Sequence, residues 1–196
     1  MEKFAKILSH IFDGSFISIP VYFIICFAVV KNPSDALGWA FLCILFGMLI
    51  PYLYVFFLFK RKLINDLHVP NREDRIKPLI IAIISYIMGY FVLYILKAPL
   101  FLKTVFIISI ISAVILTTLT YFWKVSFHTS WITSVTITSY ILFGKWVLFL
   151  LLLIPVVGWA RVKIKRHTVM QVVLGTVISA IISLFVYSYY GFIDIL

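Results

Sequence analysis

Acidic residues are scarce in this 196-residue chain: seven Asp and Glu stand against 17 Lys and Arg, a formal net charge of +10. No dense cluster of Asp, Glu and His argues for a metal site, and Asp66 and Asp74 in one loop come nearest to one. Cysteine is rarer still. Cys26 and Cys43 each lie inside an apolar run and offer neither a disulfide framework nor a metal-ligand pair. Charged residues make up 12% of the chain against 64% hydrophobic ones, which excludes an ordinary soluble domain. Internal repeats and low-complexity tracts are absent, and the polar connections are too short to hold a separate soluble domain.

What is present is a succession of apolar runs approaching the length of a membrane-spanning helix, with a mean hydropathy of +1.14. The expected fold is all-α: a multi-pass membrane bundle of six or seven transmembrane helices forming a single domain over 1–196. Spans are expected from about Phe12 to Val30, Leu37 to Phe59, Leu79 to Leu96, then to Trp123, Thr129 to Gly144, Lys145 to Trp159, and Thr168 to Tyr190. The first apolar run ends at Val29-Val30-Lys31-Asn32, which is no small-residue cleavage site, so it reads as an uncleaved span. In a soluble chain the positive balance would suggest nucleic acid. Here the cations flank apolar spans, so phospholipid surfaces and phosphorylated substrates are the expected partners, with no nucleic acid.

The most informative stretch is Ala160-Arg161-Val162-Lys163-Ile164-Lys165-Arg166-His167, which concentrates four cations and a histidine before the last span. His167 falls at the start of that helix, where unpaired N–H groups and the positive end of the dipole favour an anion. Gln171, one turn on, can orient its imidazole. Cations here also serve as topology anchors or head-group contacts. Lys124-Val125-Ser126-Phe127-His128 is a second polar stretch, in which Ser126 or Thr129 can also act simply as a helix cap. The longest loop, 60–78, holds six of the 17 Lys and Arg, among them Arg72 and Arg75, one helical turn apart. Seven hydroxyl residues between Thr129 and Ser139 make the fifth span unusually polar, a pattern that more often packs helices than binds substrate. Two spans separate each polar stretch from the next, so all three can meet at one membrane face.

Arg161, five residues, His167, three residues, Gln171 and then Gly175 resembles the third motif of the type 2 phosphatidic acid phosphatase superfamily: Ser-Arg, five residues, His, three residues, Asp. Ala160 replaces the serine and Gln171 the aspartate; glucose-6-phosphatase and dolichyl diphosphatase are similar in carrying glutamine there. Val125-Ser126-Phe127-His128 resembles the second motif, Pro-Ser-Gly-His, with the serine and histidine retained. The first motif, Lys, six residues, Arg-Pro, is missing, and Arg72 and Arg75 stand in for it by charge and location. The motif-bearing core covers about 60–191.

The resemblance implies a phosphohistidine mechanism. His167 attacks phosphorus, and His128 protonates the leaving oxygen and then activates water, while Gln171 orients the nucleophile. Arg161, Ser126, Lys124, Arg75 and Arg72 hold the phosphate oxygens, and His68 is a further candidate. No metal or other cofactor is required, since cationic side chains neutralise the developing charge. The implied substrate is a membrane lipid carrying a phosphate monoester or diphosphate. A phosphotransferase and a non-catalytic lipid-binding or transport relative are the alternatives. Thirteen of the 17 Lys and Arg lie on the motif-bearing side of a seven-span topology, which points to the cytoplasmic face of the cell membrane. Lipid phosphatases of the superfamily commonly face outward.

Overall fold

A computed structural model describes residues 1–12, 14–67, 69 and 71–193, without the side chains of 10, 14–16 and 72. Among the described residues there is no strand, and the all-α architecture expected from the sequence is the one the chain adopts. The helices are α1 (Glu2–Ile11), α2 (Gly14–Val29), α3 (Pro33–Ile44), α4 (Ile50–Lys60), α5 (Arg72–Ile95), α6 (Leu100–Phe122), α7 (Phe127–Phe143), α8 (Leu153–Lys163) and α9 (Val169–Tyr189). A π-helical turn, Leu45–Leu49, joins α3 to α4, and a 3₁₀ segment, Gly144–Leu152, leads into α8.

Five helical stretches are long and apolar enough to cross a membrane, as an integral membrane protein requires: Pro33–Lys60, Glu73–Ile95, Leu100–Phe122, Phe127–Lys163 and Val169–Tyr189. Two of the expected runs take a particular form. The first apolar run forms α2, Gly14–Val29, separate from α1, and its described residues Ile17–Val29 make a shorter apolar helix. The 37-residue stretch Phe127–Lys163 is a hairpin, reversing at Gly144, whose φ of 68° suits glycine alone. Its returning arm combines a nine-residue 3₁₀ segment with the 11-residue α8. Because a 3₁₀ helix rises about 2 Å per residue, this arm reaches about 34 Å, enough for a hydrocarbon core of about 30 Å.

Helix ends are set by short-range chemistry. Asn32, Ser126 and Thr168 are N-caps whose side-chain oxygens accept from the first turn of α3, α7 and α9. Four C-termini close with a left-handed residue after the cap: Lys62 after α4, Lys97 after α5, Lys165 after α8 and Gly191 after α9. Each has paired return bonds to the last turn, as in Lys97 N–H to Tyr94 O and Ala98 N–H to Leu93 O.

The chain forms two compact units. In Ser18–Trp123, α5 and α6 pair closely, and a Cβ on Gly89 would lie 2.6 Å from Phe46 Cβ. Ser85 Oγ donates to the Phe46 carbonyl in the π-helical turn, at 2.6 Å. The loop after α4 folds onto its own helix, burying Ile64 and Val69 against Leu58. The second unit, Met1–Ile17 with Lys124–Leu196, contains α1, the Gly144 hairpin and α9.

In that second unit α7 and α9 run parallel, joined by a ladder of short side chains. Ser130 Oγ pairs with Ser179 Oγ, Ser134 Oγ lies 3.1 Å from Ser183 Oγ, and Tyr187 donates to Thr138 Oγ1 at 2.9 Å. Every rung joins residues 49 apart in sequence, so the two helices advance together. The hydroxyl-rich fifth span is therefore a packing surface, as its composition suggested.

Candidate functional site

The lower rungs of this ladder lead to the ends of α7, α8 and α9. Ser126, fully buried, caps α7 by accepting from Thr129 N–H at 3.5 Å, and its own N–H donates to Gln171 O at 3.2 Å. Thr129 Oγ1 lies 3.2 Å from both Ser126 O and Val172 O. Gly175 permits this closeness, because a Cβ there would stand 2.6 Å from Ser126 O. The start of α7 is thus held against the first turn of α9.

The turn from α8 into α9 brings Arg161 and His167 together through the backbone. Lys165 takes a left-handed φ of 57°, and the carbonyl of Arg161 then accepts from Arg166 N–H at 3.1 Å and His167 N–H at 3.3 Å. His167 directly precedes the cap of α9. Thr168 and Gln171 form a reciprocal capping box: Gln171 N–H donates to Thr168 Oγ1 at 3.3 Å and Thr168 N–H to Gln171 Oε1 at 3.1 Å. The box consumes two of the N–H groups that the sequence reading left open for an anion.

Three side chains complete the cluster. His167 Nδ1 lies 3.3 Å from Gln171 Oε1. That oxygen already accepts from a backbone N–H, so it is an acceptor toward the imidazole too, and Nδ1 carries the proton. The lone pair of His167 is then on Nε2. Arg161 Nη1 donates to Ser9 Oγ of α1 at 2.7 Å and lies 3.5 Å from His128 Nε2. Since a guanidinium only donates, Nε2 of His128 is the acceptor side of this contact. Arg161 and His167 are 2% and 6% exposed.

Of the residues singled out from the sequence, Ser126, His128, Arg161, His167 and Gln171 are thus linked at one end of one unit. Ser126 serves there as a cap and a tie to α9. Lys124 is half-buried in the connection between Trp123 and Ser126. Arg75 belongs to the other unit, where it is buried and its Nε donates to Val69 O at 2.6 Å. That contact gives it a local task, pinning the loop ahead of α5. The side chain of Arg72 and all of His68 lie outside the described residues. No group of three or more His, Cys, Asp or Glu that would suit a metal ion occurs among the described residues.

Compared with protein-family models, curated proteins and solved structures, the chain matches none. The resemblance to the lipid phosphatase superfamily therefore rests on motif spacing alone.

Sequence reasoning missed Ser9 and α1 altogether. Ser9 lies 152 residues from Arg161, and nothing in a lone serine signals such a partner. The packing ladder was partly visible: Gly175, Ser179 and Ser183 recur every fourth residue, one face of a helix.

Proposed function

We propose that the protein is a membrane-embedded phosphatase acting on a lipid phosphate monoester or diphosphate through a phosphohistidine. The observation that carries this reading is the linked group Arg161, His128, His167 and Gln171 at the shared end of three helices. Two histidines and a guanidinium are the groups that phosphoryl transfer to nitrogen needs, and Gln171 fixes the tautomer that makes Nε2 of His167 nucleophilic. The superfamily likeness, over Arg161, His167, Gly175, Ser126 and His128, supports the same assignment.

In this mechanism the phosphate takes hydrogen bonds from Arg161, and His128 Nε2 exchanges its contact with the guanidinium for a proton from solvent water. His167 Nε2 forms a bond to phosphorus as the ester P–O bond breaks, and the leaving oxygen takes the proton from His128. In the second step water adds to phosphorus and gives a proton to His128. The N–P bond breaks, inorganic phosphate leaves and His167 regains its lone pair. Arg161 holds the equatorial oxygens, where the transition state spreads its negative charge. Arg75 is not needed for this account, since its Nε is committed to Val69 O. A site at a helix end beside apolar spans suits a substrate whose head group lies at the bilayer surface. The bias of 13 cations supports a cytoplasmic face.

The test is phosphate release from a panel of lipid phosphates by the reconstituted protein in the presence of a chelator, together with trapping of an acid-labile phosphoenzyme. Release by the wild-type protein, lost with the phosphoenzyme in His167→Ala, is the expected outcome. A second reading, a non-catalytic relative that binds lipid phosphate without turnover, is favoured by Phe127 in place of the motif glycine and by the burial of Ser126 as a cap. Saturable binding of the lipid phosphates without release would select it.

A further inference from the structure

Helix α1 has two contrasting faces. Ala5 and Ser9 are buried and the helix packs on α8. On its outer side Phe4, Ile7 and Ile11 are 54–58% exposed, interleaved with exposed Lys3 and Lys6. These apolar residues recur at the spacing of one helical stripe. Phe4 lies beside Trp159 of α8, with ring centroids 6.4 Å apart. Contacts five residues apart on α1, at Phe4 and Ser9, fall only two residues apart on α8, at Trp159 and Arg161. A helix running alongside α8 would keep pace with it, whereas this spacing fits one crossing its end.

Where α1 crosses, α8 turns from apolar to cationic, with Arg161 and Lys163 in its last turn and Lys165 and Arg166 beyond. That is the chemistry of the bilayer boundary: an aromatic pair at head-group depth, an apolar stripe for the acyl layer and lysines for lipid phosphates. We propose that α1 is an interfacial helix that seats in the head-group zone of the bilayer and couples it to the anion site, through the bond from Arg161 to Ser9. Ser9 is then a positioning residue. Its oxygen fixes one arm of the guanidinium, so Arg161 meets a lipid phosphate already aimed. The coupling to the anion site rests on the phosphatase reading; the lipid-facing seat of α1 does not.

Two measurements on the reconstituted full chain separate these parts. The first places a nitroxide on Ile7→Cys or Lys6→Cys in phosphatidylcholine–phosphatidylglycerol vesicles; Cys26 and Cys43, 0% and 1% exposed, do not compete for the label. The label at position 7 should collide several-fold more with oxygen than with a water-soluble nickel chelate, and the label at position 6 the reverse. Equal access of the chelate to both positions would overturn the interfacial seat. The second measures vanadate and inorganic phosphate affinity in detergent. Ser9→Ala should weaken binding about tenfold, the worth of one hydrogen bond to a charged group, while Ser9→Thr retains it. A Ser9→Ala protein that melts at a lower temperature yet binds vanadate normally would reduce Ser9 to a packing residue and overturn the coupling. If the wild-type protein binds neither anion, the phosphatase reading fails and the coupling with it, while the label depths still decide the seat of α1.

Discussion

Arg75 and Arg161 are both buried arginines, one in each unit, and they use their guanidinium groups differently. Arg75 turns back to a carbonyl six residues earlier and closes a loop, while Arg161 reaches from α8 to α1 and α7. The hydroxyl residues divide in the same way. In Ser18–Trp123, Thr104, Ser109, Thr118 and Thr120 each donate to the carbonyl four residues back in α6. In the other unit, Ser130, Ser134 and Thr138 bridge to α9. Ser85, bound to the Phe46 carbonyl, and Thr133, bound to its own helix, depart from this division on either side. A polar group satisfied within its own helix can face lipid or a neighbour without consequence. One satisfied across a helix pair fixes the pair, and the candidate site lies where the second kind is concentrated.

The sharpest break of that comparison is to alter each arginine in turn. Arg161→Lys should lower phosphate release about 100- to 1000-fold, because an ammonium cannot reproduce the fork that grips two oxygens. Arg75→Ala should leave kcat within a few-fold and cost about 1–3 kcal/mol of stability, the penalty for stranding Val69 O. Urea unfolding beside a release assay reads both, and a large kcat loss in Arg75→Ala would return it to the phosphate-binding set. Next come two glycines. Gly175→Ala should destabilise by about 1–3 kcal/mol and depress activity as Ser126 is pushed away, since backbone cannot yield cheaply. Gly38→Ala, where nothing lies within 4 Å of the new carbon, should stabilise α3 by about 0.5–1 kcal/mol.

Smaller effects test the ladder. A double-mutant cycle on Ser130→Ala and Ser179→Ala should give a coupling of about 0.6 kcal/mol and no more than about 1.7. Thr120→Val, which breaks only a bond within its own helix, should show no coupling to any residue on another helix. Smallest of all, Lys165→Gly should relieve about 1 kcal/mol of left-handed strain, measured as a raised unfolding midpoint, less whatever the lost cation contributed at the C-terminus of α8.

Most of the helices could be read from the chain because run length and hydropathy are properties of contiguous residues. Even the short sixth run, expected from Lys145 to Trp159, appears as the 3₁₀ segment and α8, although its stretched form was not visible. The pairing of His167 with Gln171 was legible because both sit within one helical turn, and the cap role of Ser126 because capping is local. What could not be read is what depends on separation. Ser9 and Arg161 meet across nearly the whole chain, and the apolar residues of α1 merge with the run that follows them. Arg75 shows a related limit: a basic residue in a charged loop looks the same in sequence whether it awaits an anion or, as here, also holds a carbonyl.

The constant offset of 49 between α7 and α9 also has a consequence for register. Serines opposed to serines are interchangeable teeth. Sliding α9 by one rung, about 6 Å along its axis, would set Ser130 against Ser183 and keep a serine pair, with Tyr187 carried opposite Ser134. Only the end rungs are distinct. Gly175 alone fits against Ser126 O, and Tyr187 alone reaches Thr138 with a ring behind its hydroxyl. Those two positions therefore act as frame markers, and the middle of the ladder merely tightens whichever frame they select. A chain that lost both would keep its helices, yet could settle one turn out of step and carry His167 and Gln171 away from His128.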